Sequence, residues 1–106
     1  MNRKAFKMKV YKQYHEEYKK RHDELWSEML KMLRDKGLIS YSIFLDEETS
    51  VLFGYVEYKD EMQWNSIPDE EINRKWWDYM ADIMDTNDDN SPITKDLLEV
   101  FHIEEE

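Results

Sequence analysis

Apolar and polar residues alternate over residues 4–10, where Lys7 and Lys9 separate Phe6, Met8 and Val10, and this period of two predicts a half-buried strand. From residue 12 to residue 36 there is neither Pro nor Gly. Tyr14, Tyr18, Leu25, Met29 and Leu33 recur at helical spacing, and Gly37 follows Arg34 and Lys36 where a helix C-cap belongs. Asp23 is a candidate cap for a second helical segment, which would put a break near His22. Ile39, Tyr41, Ile43 and Leu45 then alternate with Ser40 and Ser42 as a second strand. The acidic stretch 46–50 is a turn, and a third strand runs over 51–58. Residues 60–67 predict a short helix ended by Pro68. A longer helix begins near Asp69, with Asp69, Glu70 and Glu71 suited to its positive N-terminal end, and carries Trp76, Trp77, Met80 and Met84. Residues 85–92 are a loop, and residues 97–103 are the last strand.

The resulting order, β-α-β-β-α-β, is a split βαβ arrangement on an antiparallel sheet, hence an α+β fold in one domain over residues 1–106. Helices on such a sheet cover one face only. Yet the strands carry apolar residues at both parities: Phe44 beside Ile43, and Phe53 and Tyr55 beside Leu52 and Val56. A second copy of the chain packed sheet to sheet would bury the other face, and twofold dimers are the commonest oligomers.

Composition narrows the chemistry. Lys and Arg number 15 against 25 Asp and Glu, a net charge of −10, which disfavours nucleic acid or an anionic membrane as partner, since both attract basic surfaces. No stretch is long and apolar enough to span a bilayer, and the N-terminus lacks the apolar core of a secretion signal. With no Cys, thiolate metal sites, disulfides and Cys nucleophiles are excluded. With only Gly37 and Gly54, no glycine-rich loop can cradle a phosphate or dinucleotide. The charge is also segregated: residues 1–36 sum to +5 (11 basic, six acidic) and residues 37–106 to −15 (four basic, 19 acidic). Two oppositely charged parts of one small domain are expected to face each other or a second subunit.

Tyr18 and His22 are spaced i, i+4, which puts them on one face of an unbroken helix. An imidazole both donates and accepts protons near neutrality, although a hydrogen-bonded helix histidine with no catalytic role would read the same way. His15 and His102 have nothing in their surroundings to raise them, and three dispersed histidines are not a zinc pattern. Trp76 and Trp77 point about 100° apart on a helix, so one can pack in the core while the other lines a pocket, where an indole face suits the C–H face of a sugar. The run 85–90 begins like a calcium loop, with oxygen ligands at positions one, three and five. Asn90 then stands where Gly is expected, Pro92 interrupts it and Asp96 replaces the final Glu, so turn chemistry accounts for it better.

Taken together, Arg3-Lys4-Ala5-Phe6 with Met8 and Val10, Glu16-Glu17-Tyr18, Arg21-His22, Leu25-Trp26, Tyr41, Leu52-Phe53, Val56-Glu57, Trp64, Trp76-Trp77-Asp78-Tyr79-Met80 with Asp82, Asn87-Asp88-Asp89-Asn90-Ser91-Pro92 and Leu98-Glu99-Val100-Phe101 resemble the L-rhamnose mutarotase family across the whole chain. The resemblance implies a cytoplasmic, cofactor-free isomerase that interconverts the α and β anomers of L-rhamnose. It implies a homodimer of ferredoxin-like subunits, the dimeric α+β barrel. By position, His22 matches the family's general acid, and Tyr18, Tyr41, Trp76 and Trp77 match its sugar-contacting residues. Ser27 departs from the pattern, since relatives often carry Pro there, and this bears on the helix break. The terminal Glu104, Glu105 and Glu106 are extra and receive no role. The partner base stays open among a Tyr, a carboxylate and water. Two other classes fit the same pattern: another dimeric α+β barrel enzyme, monooxygenase-like or haem-degrading, and a sugar-binding module without catalysis.

Overall fold

The computed structural model describes residues 1–105; Glu106, the last of the terminal glutamates, lies outside the described residues. Strand β1 (Asn2–Lys9) leads through a 3-10 turn at Lys12–Tyr14 into α1 (His15–Asp23) and α2 (Ser27–Asp35). Strands β2 (Leu38–Asp46) and β3 (Val51–Tyr58) form a hairpin, followed by α3 (Glu61–Asn65), a 3-10 turn at Ile67–Asp69, α4 (Glu71–Met80) and the two-residue β4 (Lys95–Asp96). The sheet order is β2-β3-β1-β4, with every pair antiparallel. That is the ferredoxin-like order expected of a split βαβ chain.

Register places the core. Phe6 lies opposite Gly54, which lies opposite Ile43, and Met8 and Leu45 flank Leu52 in the same way. The period-two alternation therefore sends Met8, Leu52, Val56 and Tyr58 to the helix side, where all four are buried. Tyr18 from α1, Met29, Met32 and Leu33 from α2, and Trp76 and Met80 from α4 form one core cluster with Met8 and Leu52, and Trp64 of α3 stacks on Tyr58.

The predicted 12–36 helix is broken at residues 24–26. The Leu25 amide turns back to the carbonyl of His22, and Asp23 ends α1 in an ion pair with Lys19 instead of capping the next helix. Trp26 stands at the N-cap of α2 without any side-chain cap bond. A missing cap costs about 1 kcal/mol, whereas burying each of Met29, Met32 and Leu33 is worth about 1.5–3 kcal/mol, so packing fixes α2. Gly37 ends it as expected, in the left-handed region at φ 98°.

Three further expectations are corrected. Pro68 does not end the short helix; α3 stops at Asn65, and Pro68 sits within the separate 3-10 turn Ile67–Asp69, where its missing N–H is harmless. The longer helix ends at Met80, and Met84 instead bridges Val10 as extended backbone, both residues buried. Residues 97–103 do not form the last strand. The Leu97 amide still donates to the Ala5 carbonyl, but then the chain leaves the edge of β1. Leu98, Val100, Phe101 and Ile103 are 75–87% exposed. A strand needs a ladder partner and a covered face, and its own chain offers this segment neither.

Candidate active site

A cavity of about 1200 Å³ opens between the sheet and the helices, lined by β1, β2, α1 and α4 among other elements. Tyr18, His22, Tyr41, Trp76 and Trp77 all line it. The fold thus brings together residues that are scattered over three elements.

Helix α1 is short and mostly polar, with Tyr18 its only buried residue. Glu16 and Glu17 in its first turn and Lys20 and Arg21 in its last complement the helix dipole. Arg21 holds its C-terminal end in place. The guanidinium bonds Glu17, Asp82 and the Tyr79 carbonyl and lies 4.4 Å from the Tyr79 ring centroid. The end of α1 is thereby tied to the end of α4, and His22 comes to face Trp76.

His22 is clamped on three sides. Its Nδ1 donates to the carbonyl of Tyr18 at 2.9 Å. The imidazole stacks on the Tyr18 ring at 4.3 Å between centroids and meets the Trp76 edge at 5.4 Å. Since a carbonyl can only accept, a neutral His22 carries its proton on Nδ1 and presents the lone pair of Nε2. Burial pulls its pKa below the ordinary value, against opposing effects of the Tyr18 carbonyl and Asp23, so the neutral form dominates at neutral pH.

The two tyrosines are held as phenols. Burial, with Tyr41 as a second cause, pushes the Tyr18 hydroxyl far above the usual phenol range. Tyr41 is 39% exposed over the whole residue, but protein surrounds its hydroxyl, and burial pushes it up to about 12. Neither is a ready phenolate near neutrality. Both are suited to donate hydrogen bonds. Tyr41 is set in place by Phe6, whose ring meets it edge-on at 6.2 Å.

The adjacent tryptophans divide their duties. Trp76 is 7% exposed and stands edge-on to Trp26 at 5.1 Å and near Tyr79 at 5.7 Å, a core residue with one border on the cavity. Trp77 is half-buried, with the Arg74 guanidinium 5.2 Å from its ring centroid. Sequence reasoning gave no role to Phe6, Trp26 or Asn73, which also belong to this neighbourhood. The available signal was spacing: Asn73, Trp76 and Met80 share one stripe of α4 and all three are buried.

Of the remaining candidates, His15 and the loop residues Asn87 and Asn90 also border the cavity but are bonded locally, and His102 lies apart from it. His15 pairs with the buried Ser50 at 2.8 Å, and His102 sits beside Glu99 and Glu104 on the C-terminal arm. In the 85–92 loop the Asn87 amide bonds Ser91, Asp89 accepts from the Ser91 amide, and Asn90 adopts φ 68° and bonds Asp78. Its polar side chains build the turn. Among the described residues, no group of three or more His, Asp or Glu is placed to hold a metal ion, and no helix is long and apolar enough to cross a membrane.

Known proteins resemble this chain over nearly its whole length. A family model described as L-rhamnose mutarotase matches residues 3–103. A protein of Lachnoclostridium phytofermentans named L-rhamnose mutarotase is 53% identical over 104 residues, covering 98% of this chain and all of that one. The crystal structure of an L-rhamnose mutarotase from Formosa agariphila superposes with a TM-score of 0.91 at 47% identity, over 98% of this chain and all of that one. A dimeric ferredoxin-like protein from an uncultured marine organism, 17% identical and covering 97% of each chain, gives a TM-score of 0.65 and shares the fold alone.

Proposed function

The chain belongs to the L-rhamnose mutarotase family, and we propose that it interconverts the α and β anomers of L-rhamnose in the cytoplasm, with His22 moving the proton. The observation that carries this is a half-buried imidazole whose Nδ1 is committed to a carbonyl, leaving Nε2 as the free nitrogen in a cavity walled by tyrosine and tryptophan.

Opening a pyranose hemiacetal requires one proton to leave the anomeric hydroxyl and one to reach the ring oxygen. A single imidazole can do both. Nε2 takes the O1 proton, the hemiacetal anion collapses to the aldehyde, and the C1–O5 bond breaks with its electron pair on O5. The imidazolium so formed then returns the proton to O5. Rotation about C1–C2 and the reverse sequence close the ring as the other anomer, with atoms and charge balanced and His22 regenerated. His22 thereby acts as the general acid towards O5, and its own neutral form fills the vacant role of base. The tyrosine alternative for that base is disfavoured because burial holds both phenols protonated. Tyr18 and Tyr41 instead donate hydrogen bonds to sugar oxygens, and Trp76 and Trp77 offer apolar walls to its C–H faces. Positioned acid–base catalysis contributes about 10²–10⁴-fold.

The working unit is a homodimer. Phe44 and Phe53 are register partners on the outer face of the sheet, 67% and 39% exposed, and the apolar arm over 97–103 is uncovered. A second copy packed on that face would bury both features.

NMR saturation transfer between anomers, run with and without protein on L-rhamnose, L-fucose and D-glucose, tests the activity. Faster exchange for L-rhamnose, retained in EDTA, is expected. Sugar binding without faster exchange would make the protein a binding module, and loss on chelation restored by one metal would replace the proton-shuttle mechanism.

A further inference from the structure

We infer that Asn73 is a substrate ligand, donating a hydrogen bond to a hydroxyl of the bound sugar. Asn73 lies on α4, one turn before Trp76 and Trp77, and lines the same cavity. It is 3% exposed, and its Nδ2 is the single buried side-chain nitrogen or oxygen without a hydrogen-bond partner among the described residues. Buried polar groups are nearly always paired, so an orphaned amide nitrogen on a residue that lines a cavity calls for a partner supplied from that cavity. The neighbouring stripe positions Trp76 and Met80 are apolar, and a leucine would serve at Asn73 if packing alone were required. An amide both donates and accepts, which matches a sugar hydroxyl or a vicinal pair of them. Sites built to bond a hydroxyl reject analogues lacking it, because the site group is then left unpaired. Asn73 is accordingly a specificity residue for a polyhydroxylated ligand.

This rests on the sugar-site assignment above, and the two can fail separately. If the unsubstituted protein does not speed L-rhamnose anomer exchange and does not bind the sugar, the assignment of the site fails. If it does, Asn73 is tested by Asn73→Leu, which keeps the branched shape of the side chain and removes both polar atoms. A rise of about tenfold in KM, the loss of one neutral hydrogen bond, is expected with kcat changed far less. Monodeoxy analogues of L-rhamnose should show which hydroxyl is held: one of them should lose affinity for the unsubstituted protein and lose nothing further in Asn73→Leu. A purely structural role predicts unchanged KM, and equal penalties for every analogue in both proteins; either result overturns the inference. Should Asn73→Leu not fold, the side-chain NH2 resonances of Asn73 in the unsubstituted protein give the answer. They should shift and become protected from solvent exchange on saturation with L-rhamnose, and unprotected resonances would overturn it.

Discussion

At His22 burial and hydrogen bonding act in opposite directions on one imidazole, and burial wins. The neutral ring is then the resting form at pH 7, ready to accept the O1 proton, and the conjugate imidazolium is a stronger acid than free histidine. The sign of the pH dependence follows. Exchange activity should be low where His22 is protonated, rise as pH climbs through its pKa below 6.5, and stay level through neutrality. A fall in activity over that same rise in pH would mean that the imidazolium is needed at the outset. Stability has the same sign: between the folded and unfolded pKa values the unfolded chain binds more protons, so this group's contribution is lost as pH falls below 6.5. His22→Asn should slow exchange about 10²–10⁴-fold with sugar affinity nearly kept. Near-normal exchange would remove His22 from the mechanism. The tryptophans respond differently. Trp76→Ala opens a cavity beside Trp26, Tyr79 and His22 and should cost about 3–5 kcal/mol in denaturant unfolding. Trp77→Ala should unfold far less readily and raise KM. Unchanged kinetic constants in a folded Trp77→Ala protein would confine that ring to packing.

Elements were legible where one periodicity governs. The alternation in β2 and the apolar run of β3 both mark strands, and both strands fall within a residue of the expected bounds. The break between α1 and α2 was visible as a possibility, but its cause was not. Neither Pro nor a side-chain cap makes it; Trp26 does, by docking on Trp76 and Tyr79 from fifty residues away in the chain. The arm over 97–103 alternates like a strand, yet alternation does not say which chain supplies the ladder. Gly54 is a comparable case. As a glycine in a strand interior it weakens the strand locally, and the fold shows its purpose. A Cβ there would lie 2.4 Å from the Phe6 ring, so the glycine makes room for Phe6 to lie across β3 and reach Tyr41. Gly54→Ala should destabilise by about 1–3 kcal/mol through overpacking. It should also raise KM by displacing the ring that sets Tyr41, and Phe6→Leu in the same background should recover much of the stability. A Gly54→Ala protein with unaltered melting and kinetics would show that Phe6 has room to move.

Across the whole molecule, the segregated charge finds its counterpart within the chain. Arg3 pairs with Glu99, Lys4 with Glu61, Arg21 with Asp82 and Lys36 with Glu70, each joining the basic first third to the acidic remainder. Such pairs are mostly exposed and worth little individually, so they orient segments more than they stabilise them. On the outer face of the sheet Phe44, Phe53 and Tyr55 lie among Arg3, Lys7 and Glu57. The site residues belong to this scale as well: no spacing along the chain relates Tyr41 on β2 to His22 on α1, and only resemblance to known relatives named them together in advance. The single chain leaves Phe44, Phe53 and the arm exposed, while its acidic surplus acts against a second copy meeting it through the acidic surface. The sheet face that carries Phe44 and Phe53 beside Lys7 is then the place where two copies of a chain carrying −10 can approach. Phe44→Asp removes an exposed ring from that face and places a carboxylate on each copy's side of the contact. Sedimentation at micromolar concentration should therefore show twice the chain mass for the unsubstituted protein and the single chain for Phe44→Asp. High salt should restore association only in part, because it screens the new charges but does not replace the lost ring. A folded, unsubstituted protein that sediments as a single chain across this range would leave the outer face without its proposed partner.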